Sequence, residues 1–328
     1  MWDINFRQVV TQVRQSMPFL MFRVAAYFGI TLALVVASWI GAALGWIFGA
    51  FGGPEAQAVF SVWGGILGFG LVCGAVVYLR DYLLFLVNAP HVALMTDLAE
   101  NRSVPNDFKQ VEHGWAVVQD RFGTAQSLFG LDVLVKKVIG AVPALIDTPQ
   151  SLIFPKRIDR IPAVVPMMLR LASGLNDEII LARLIRDETR NPFQDAQGVL
   201  ALYARNAVPV LRAAVGLTAI SGAVTCAMFV VMLMPAGFVV WIVPGTWFLG
   251  HIVFAAAFAW AFKAALIDPL VFACLMQIFL RQTAGQVPDP IWLEKLDGAT
   301  TSFKTLGQRA MMWARGRAAR IARWEEKA

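Results

Sequence analysis

Between Arg212 and Lys263 the chain reads AAVGLTAISGAVTCAMFVVMLMPAGFVVWIVPGTWFLGHIVFAAAFAWAF, residues 213–262, a run of 50 without Asp, Glu, Lys or Arg. A hydrocarbon core ~30 Å thick is crossed by about 20 apolar residues of helix, each rising ~1.5 Å. The run is therefore too long for one crossing and long enough for two. Pro244-Gly245-Thr246-Trp247 is a turn signal within it. The spacing predicts spans near 213–243 and 248–263, the second continuing past Lys263. The same pattern stands earlier in the chain. Arg23 and Glu55 enclose 31 uncharged residues, Glu55 and Arg80 enclose 24, and Phe51-Gly52-Gly53-Pro54 forms the turn. Two hairpins with four spans follow.

Composition agrees with this reading. Of 328 residues, 58% are hydrophobic and 15% charged, against roughly 25% charged in a soluble domain. So few charges cannot cover a soluble surface of this size. Disorder, a collagen-like chain, a disulfide scaffold and a free cytosolic enzyme are excluded. The expected class is all-α: a polytopic helical membrane protein with two transmembrane hairpins, a re-entrant or interfacial segment, and amphipathic cytoplasmic helices. The expected organisation is an amphipathic helix at 1–18, the first hairpin with its extension at 19–98 and a linker at 99–137. A re-entrant or interfacial hairpin at 138–175 and amphipathic helices at 176–207 follow. The second hairpin at 208–290 and a basic tail at 291–328 complete the chain.

Lys and Arg placement sets the orientation. The tips 51–57 and 244–248 carry neither residue, whereas the N-terminal segment, the middle 81–212 and the tail hold them. Both termini are expected on the cytoplasmic side of the inner membrane. The first apolar run follows Arg7 and Arg14 and lacks a cleavage signature, so it reads as a retained span. Cys73, Cys226 and Cys274 lie in apolar runs and read as small buried hydrophobes.

The hairpins share offsets. Arg14-Gln-Ser-Met-Pro18 and Arg205-Asn-Ala-Val-Pro209 are 191 apart; Arg80 and Lys263, like Val104-Pro105 and Val287-Pro288, are 183 apart. Such offsets are those of a candidate parallel repeat. Gly41, Gly45 and Gly49, with Gly64 and Gly68, and then Gly70 and Gly74, have the spacing that lets helix backbones approach. Packing within the hairpin is the favoured reading, and a homo-oligomer the alternative.

Val138–Phe154 and Ile161–Leu175 are short apolar runs interrupted by proline. One of them crossing alone would place nine Lys and Arg of 156–212 outside, so either both cross or neither does. Asn176-Asp177-Glu178 and Asn191-Pro192 read as helix starts, with Arg183, Arg186, Arg190 and Asp187 on a solvated face. In residues 301–328, seven Lys or Arg against two Glu leave +5 of the chain's +6. Phe303, Leu306, Ala310, Trp313, Ile321 and Trp324 form a stripe opposite Arg309, Arg315, Arg320 and Arg323. A basic helix of this kind suits an anionic lipid surface, with nucleic acid disfavoured as a partner.

No phosphate loop, metal-ligand spacing or catalytic constellation is present, so no cofactor, metal or enzyme activity is expected. The scarce ionisable groups at membrane depth draw attention instead. Lys263 and Asp268 are five residues apart and, on an α-helix, point in different directions. The expected pairs are therefore between hairpins: Lys263 with Asp81, or Asp268 with Arg80. Separate anchoring at the interface is the alternative.

Leu266-Ile-Asp268-Pro-Leu-Val-Phe-Ala-Cys274, the polar segment Arg281–Pro290, and Asn88–Asn106 resemble segments in the C-terminal half of the choline transporter-like family, over about residues 83–300. The resemblance implies transport of choline or a related amine. A cation site would combine a carboxylate with aromatic faces, which points to Asp268, Lys263, Asp147, Trp260 and Asn88 as the substrate pathway. The first functional reading is a transporter of a small organic cation or lipid-related solute. The second is a non-catalytic membrane scaffold or accessory subunit.

Overall fold

The computed structural model describes residues 4–122, 125–146, 176–187, 191–241 and 250–325; the side chains of residues 80, 81, 83, 84, 125, 126 and 316–325 lie outside that description. Of the described residues 90% are helical, and no strand occurs among them. Its helices are α1 (Phe6–Gln15), α2 (Met17–Gly49), α3 (Pro54–Ala99), α4 (Lys109–Phe122), α5 (Ala125–Leu145), α6 (Asp177–Arg186) and α7 (Pro192–Arg205). Then come α8 (Ala207–Trp241), α9 (Gly250–Phe262), α10 (Asp268–Gln282), α11 (Pro290–Ala299) and α12 (Thr301–Glu325). Among the described residues, four segments are long and apolar enough to cross a membrane: Met17–Gly52, Pro54–Leu79, Ala207–Trp241 and Gly250–Gln282. These coincide with the four expected spans. The protein is an all-α polytopic membrane protein.

The chain divides into two compact units. The span unit holds residues 17–87 and 220–269. Along α2, buried Leu20, Arg23, Tyr27, Thr31, Leu34, Ser38, Ala42 and Gly45 recur at steps of three and four, the period of one helix face. Small residues on α9 let α2 approach: Ala261, with Ala264 and Ala265 just beyond, packs around Tyr27, and Ala255 packs beside Val35 and Phe254. The tip between α2 and α3 is a single 3-10 turn, Ala50–Gly52, closed by Gly53 at φ 89°, a left-handed conformation open to glycine.

The glycine spacing resolves inside the hairpin. A Cβ on Gly41 would overlap Gly64 O, and one on Gly45 would overlap Phe60 O, whereas Gly70 and Gly74 meet only open space. Lipid supplies no hydrophobic drive between helices, so close backbone approach is what holds this pair. Over this crossing runs a groove of about 850 Å3 with a glycine floor and walls of Ile40, Leu44, Phe48, Phe60, Trp63 and Leu67. Cys226 is exposed on α8, against its expected burial, while Cys274 is buried.

The body unit holds residues 1–16, 88–219 and 270–328. The expected linker at 99–137 is corrected: α4 and most of α5 occupy it, and α5 runs unbroken across the 137/138 boundary with Val135, Val138, Ile139 and Val142 buried. Polar composition alone concealed an apolar face of period 3.6. Residues 147–175, expected as the rest of a re-entrant hairpin, lie outside the described residues.

Helices α5, α6 and α7 pack on one another. The helix starts read at Asn176 and Asn191 are observed. On α6 the apolar residues Ile179–Ala182, Leu184 and Ile185 are buried, while Arg183 and Arg186 are partly exposed and Asp187 is exposed. Arg183 pairs with Asp187 at 2.7 Å and Arg186 with Glu100 at 2.8 Å. Asn191 caps α7, its Oδ1 accepting from Gln194 N at 3.4 Å, while its Nδ2 donates to Ala310 O at 3.0 Å. Asn191→Ala removes both bonds at a cost of about 1–2 kcal/mol. Thermal unfolding in detergent should show a midpoint lower by about 3–6 °C. An unchanged midpoint would remove the cap from the account.

Part of the tail helix is covered by protein. In α12, Phe303, Leu306 and Ala310 are buried, and the helix packs on α7 and α5. The Trp313 ring lies tilted against Phe193 with centroids 5.9 Å apart, and the Arg309 guanidinium stands 6.0 Å over the Phe193 ring. An amphipathic stripe specifies that something apolar covers it. Here the cover is protein along 303–313.

Candidate functional site

Asp268-Pro269 decides the local structure of the fourth span. Proline has no N–H, and its ring collides with the carbonyl four residues back in an α-helix. The chain answers with a π turn over Lys263–Ile267, in which Asp268 N–H donates to Lys263 O, five residues back. The next acceptor in this wider register, Ala264 O, would look to residue 269 and finds proline. A buried carbonyl without a donor is costly. Arg23 of α2 supplies the donor: its Nη2 reaches Ala264 O at 2.8 Å.

Arg23 is 4% exposed. Its guanidinium also lies 5.5 Å from the centroid of the Tyr27 ring, and Tyr27 packs edge-on against Trp260 at 5.6 Å. One turn on, Thr31 Oγ1 bonds Tyr27 O at 3.2 Å and Ala257 O at 3.4 Å. This row of α2 side chains ties the first span to the fourth.

Lys263 Nζ meets Asp268 Oδ1 at 2.6 Å. The expectation that these two would point apart is thereby corrected. On an α-helix residues five apart are about 140° apart, but a π turn returns the chain to the same face after about five residues. The pair neutralises two charges that would each be expensive in lipid.

Of the expected pathway residues, the structure gathers Lys263, Asp268 and Trp260. Asn88 belongs to the body unit. Asp147 lies outside the described residues, as do the side chains of Arg80 and Asp81, so the pairs assigned to those two have no described geometry. At the position matching Lys263 in the candidate repeat, α3 continues as a regular α-helix through Arg80, and the hairpins differ there. Arg23 escaped sequence reasoning because it read as a flanking positive charge. The signal available was Asp268-Pro269, which announces an orphan carbonyl within an apolar run.

A second polar knot lies in the body unit. Asp97, 3% exposed, accepts from Arg102 at 3.2 Å and faces His113 Nε2 at 2.9 Å. It ties the end of α3 to α4 across a turn where Asn101 has φ 55°. Among the described residues, no group of three His, Cys, Asp or Glu is placed to hold a metal ion.

These features define a polytopic helical membrane protein in which Arg23, Lys263 and Asp268 all hold partners within the chain. Compared with protein-family models, with characterised proteins and with solved structures, the chain finds no match.

Proposed function

We propose that this chain is a non-catalytic membrane scaffold, or accessory subunit of a membrane complex, with both termini on the cytoplasmic side of the inner membrane. One observation carries the reading. The described charges around the π turn already hold structural partners within the chain, while the 850 Å3 groove of the first hairpin is lined wholly by apolar residues. A site that moves a charged solute needs uncommitted polar groups; a site that seats an apolar transmembrane helix of a partner does not. The second and third spans are correspondingly bare, with 6% of the most apolar stretch of each buried. In the tail, Arg315 is exposed beyond the residues packed on α7, and an anionic lipid surface would meet the basic helix from there.

The competing reading is transport of a choline-like cation or lipid-related solute. It draws on the Trp260 and Tyr27 rings, packed on each other, and on the Asp268 carboxylate, which is 26% exposed. Against it, the Lys263 ammonium occupies the carboxylate that such a cation would need.

The two readings part in proteoliposomes given labelled choline. The scaffold reading expects no saturable uptake by the wild type. Saturable uptake abolished by Asp268→Asn would overturn it. In native membranes, Trp63→Ala with Leu67→Ala is expected to reduce the size of the assembly that holds the chain, as read by native electrophoresis. An assembly unchanged by the pair would argue against the groove as the seat of a partner.

A further inference from the structure

We infer that residues 263–268 form a two-register hinge in the fourth span, latched in its open π register by the Arg23 guanidinium. Hydrogen bonds at the turn carry the latch, whether or not the chain is a scaffold. In the π register, Asp268 N–H serves Lys263 O and Arg23 serves Ala264 O. In the α register, Asp268 N–H would serve Ala264 O, displacing the arginine, and Pro269 would leave Ala265 O without its donor. Each register thus leaves one backbone carbonyl that Pro269 cannot serve, and only the π register places that carbonyl where Arg23 reaches it.

The ion pair follows the same equilibrium. Lys263 and Asp268 meet at 2.6 Å because the turn is widened. Tightening it to the α register would set them about 140° apart around the axis, breaking the pair and freeing a cation and an anion together. Arg23, Lys263 and Asp268 therefore report one event. Whatever draws Arg23 from Ala264 O, such as an anionic group competing for the guanidinium, also separates Lys263 from Asp268. The wall around the latch is dry: Tyr27, Ala261, Ala264 and Ala265 are buried, with Val24, Phe28 and Leu266 against them. In such surroundings a lost hydrogen bond is not replaced by water.

Amide hydrogen exchange on the full chain in detergent or nanodiscs, followed in a peptide covering 263–272, tests the latch. Arg23→Met should accelerate exchange there about ten-fold or more, as local opening no longer has to break the guanidinium bond. Arg23→Lys, which keeps a charged donor, should stay within about three-fold of wild type. Pro269→Ala restores a backbone N–H and should make the turn independent of Arg23, so adding Arg23→Met to it should change exchange less than about two-fold. If Arg23→Met alone fails to fold, recovery of folded protein by Pro269→Ala supports the latch. Equal acceleration in both backgrounds, lysine behaving as methionine, or misfolding in both backgrounds would overturn it.

Discussion

Replacing Gly41 with valine is expected to take the first hairpin apart, while Gly70→Ala in the same hairpin is expected to be neutral or mildly stabilising. A side chain at Gly41 meets Gly64 O and Gly64 C, and one at Gly64 meets Gly41 O; Gly45 faces Phe60 O, and Gly68 faces Ala37 O. All of these obstacles are backbone. No rotamer change relieves them, so α2 and α3 must separate along the crossing and give up their closest contacts. A loss of about 3–5 kcal/mol is expected, enough to lower a thermal midpoint by ~10 °C or to eliminate monodisperse protein. Gly70 and Gly74 meet nothing within 4 Å. There, alanine adds only its better helix propensity, about 0.5–1 kcal/mol before any lipid effect. Fluorescence-detected size exclusion after a temperature series reads both outcomes. Gly41→Val within 2 °C of wild type would mean that the helices do not touch where the structure places them.

The second large effect is expected in the body unit, at Lys136. Its ammonium lies 2.6 Å from Asp132 and 3.2 Å from Asp177. Burial works against the lysine charge, but Asp177 and then Asp132 outweigh it and hold its pKa above the ordinary lysine value. Burial raises the Asp177 carboxyl above the usual carboxylate range, with Lys136 opposing that rise. A carboxyl raised in this way favours the fold at low pH and loses that contribution as pH rises through its folded value. The lysine follows the same sign in a higher window: its raised pKa keeps its stabilising charge in place until strongly alkaline pH.

Lys136→Met removes the compensating cation and leaves Asp177, 6% exposed, as a buried anion. At pH 7 the expected loss is about 2–4 kcal/mol, below the usual figure for a broken buried pair because the lysine is half-exposed. Without its partner, Asp177 takes up a proton more readily, so the loss should shrink toward pH 5. Lys136→Met with Asp177→Asn should recover most of it at pH 7. Chemical or thermal unfolding at both pH values provides the check, and an equal deficit at pH 5 and pH 7.5 would refute the electrostatic account.

Particular residues show how far the sequence could be read. The four spans were legible because 20 or more apolar residues can only be satisfied in lipid as helix, and Gly53-Pro54 marked one turn between them. The caps at Asn191-Pro192 were legible because capping is local: the residues that bond are three apart. The tail stripe was legible as a stripe, but Phe303 and Leu306 carry no mark of whether lipid or α7 covers them. The linker expected at 99–137 failed because its apolar face is diluted among polar residues, and only packing against α6 and α7 shows which side is inside.

The candidate site divides along the same line. Lys263, Asp268 and Trp260 stood out in the sequence because charge and aromatic rings are conspicuous in an apolar run. Their relation was invisible, since an α-helical reading fixes residues five apart on different faces and the π turn changes that angle. Arg23 was invisible for another reason: its partner is a backbone carbonyl 241 residues away in the chain.

The amino-acid sequence by itself determined that this protein is helical, membrane-spanning and folded as two hairpins, because hydrophobic length and turn chemistry act over tens of residues at most. Tertiary structure alone decided that Arg23 closes the π turn, that Lys263 holds Asp268, and that the tail packs on protein. Those outcomes depend on which acceptor or apolar face arrives from a distant part of the chain, and local physics leaves that choice open.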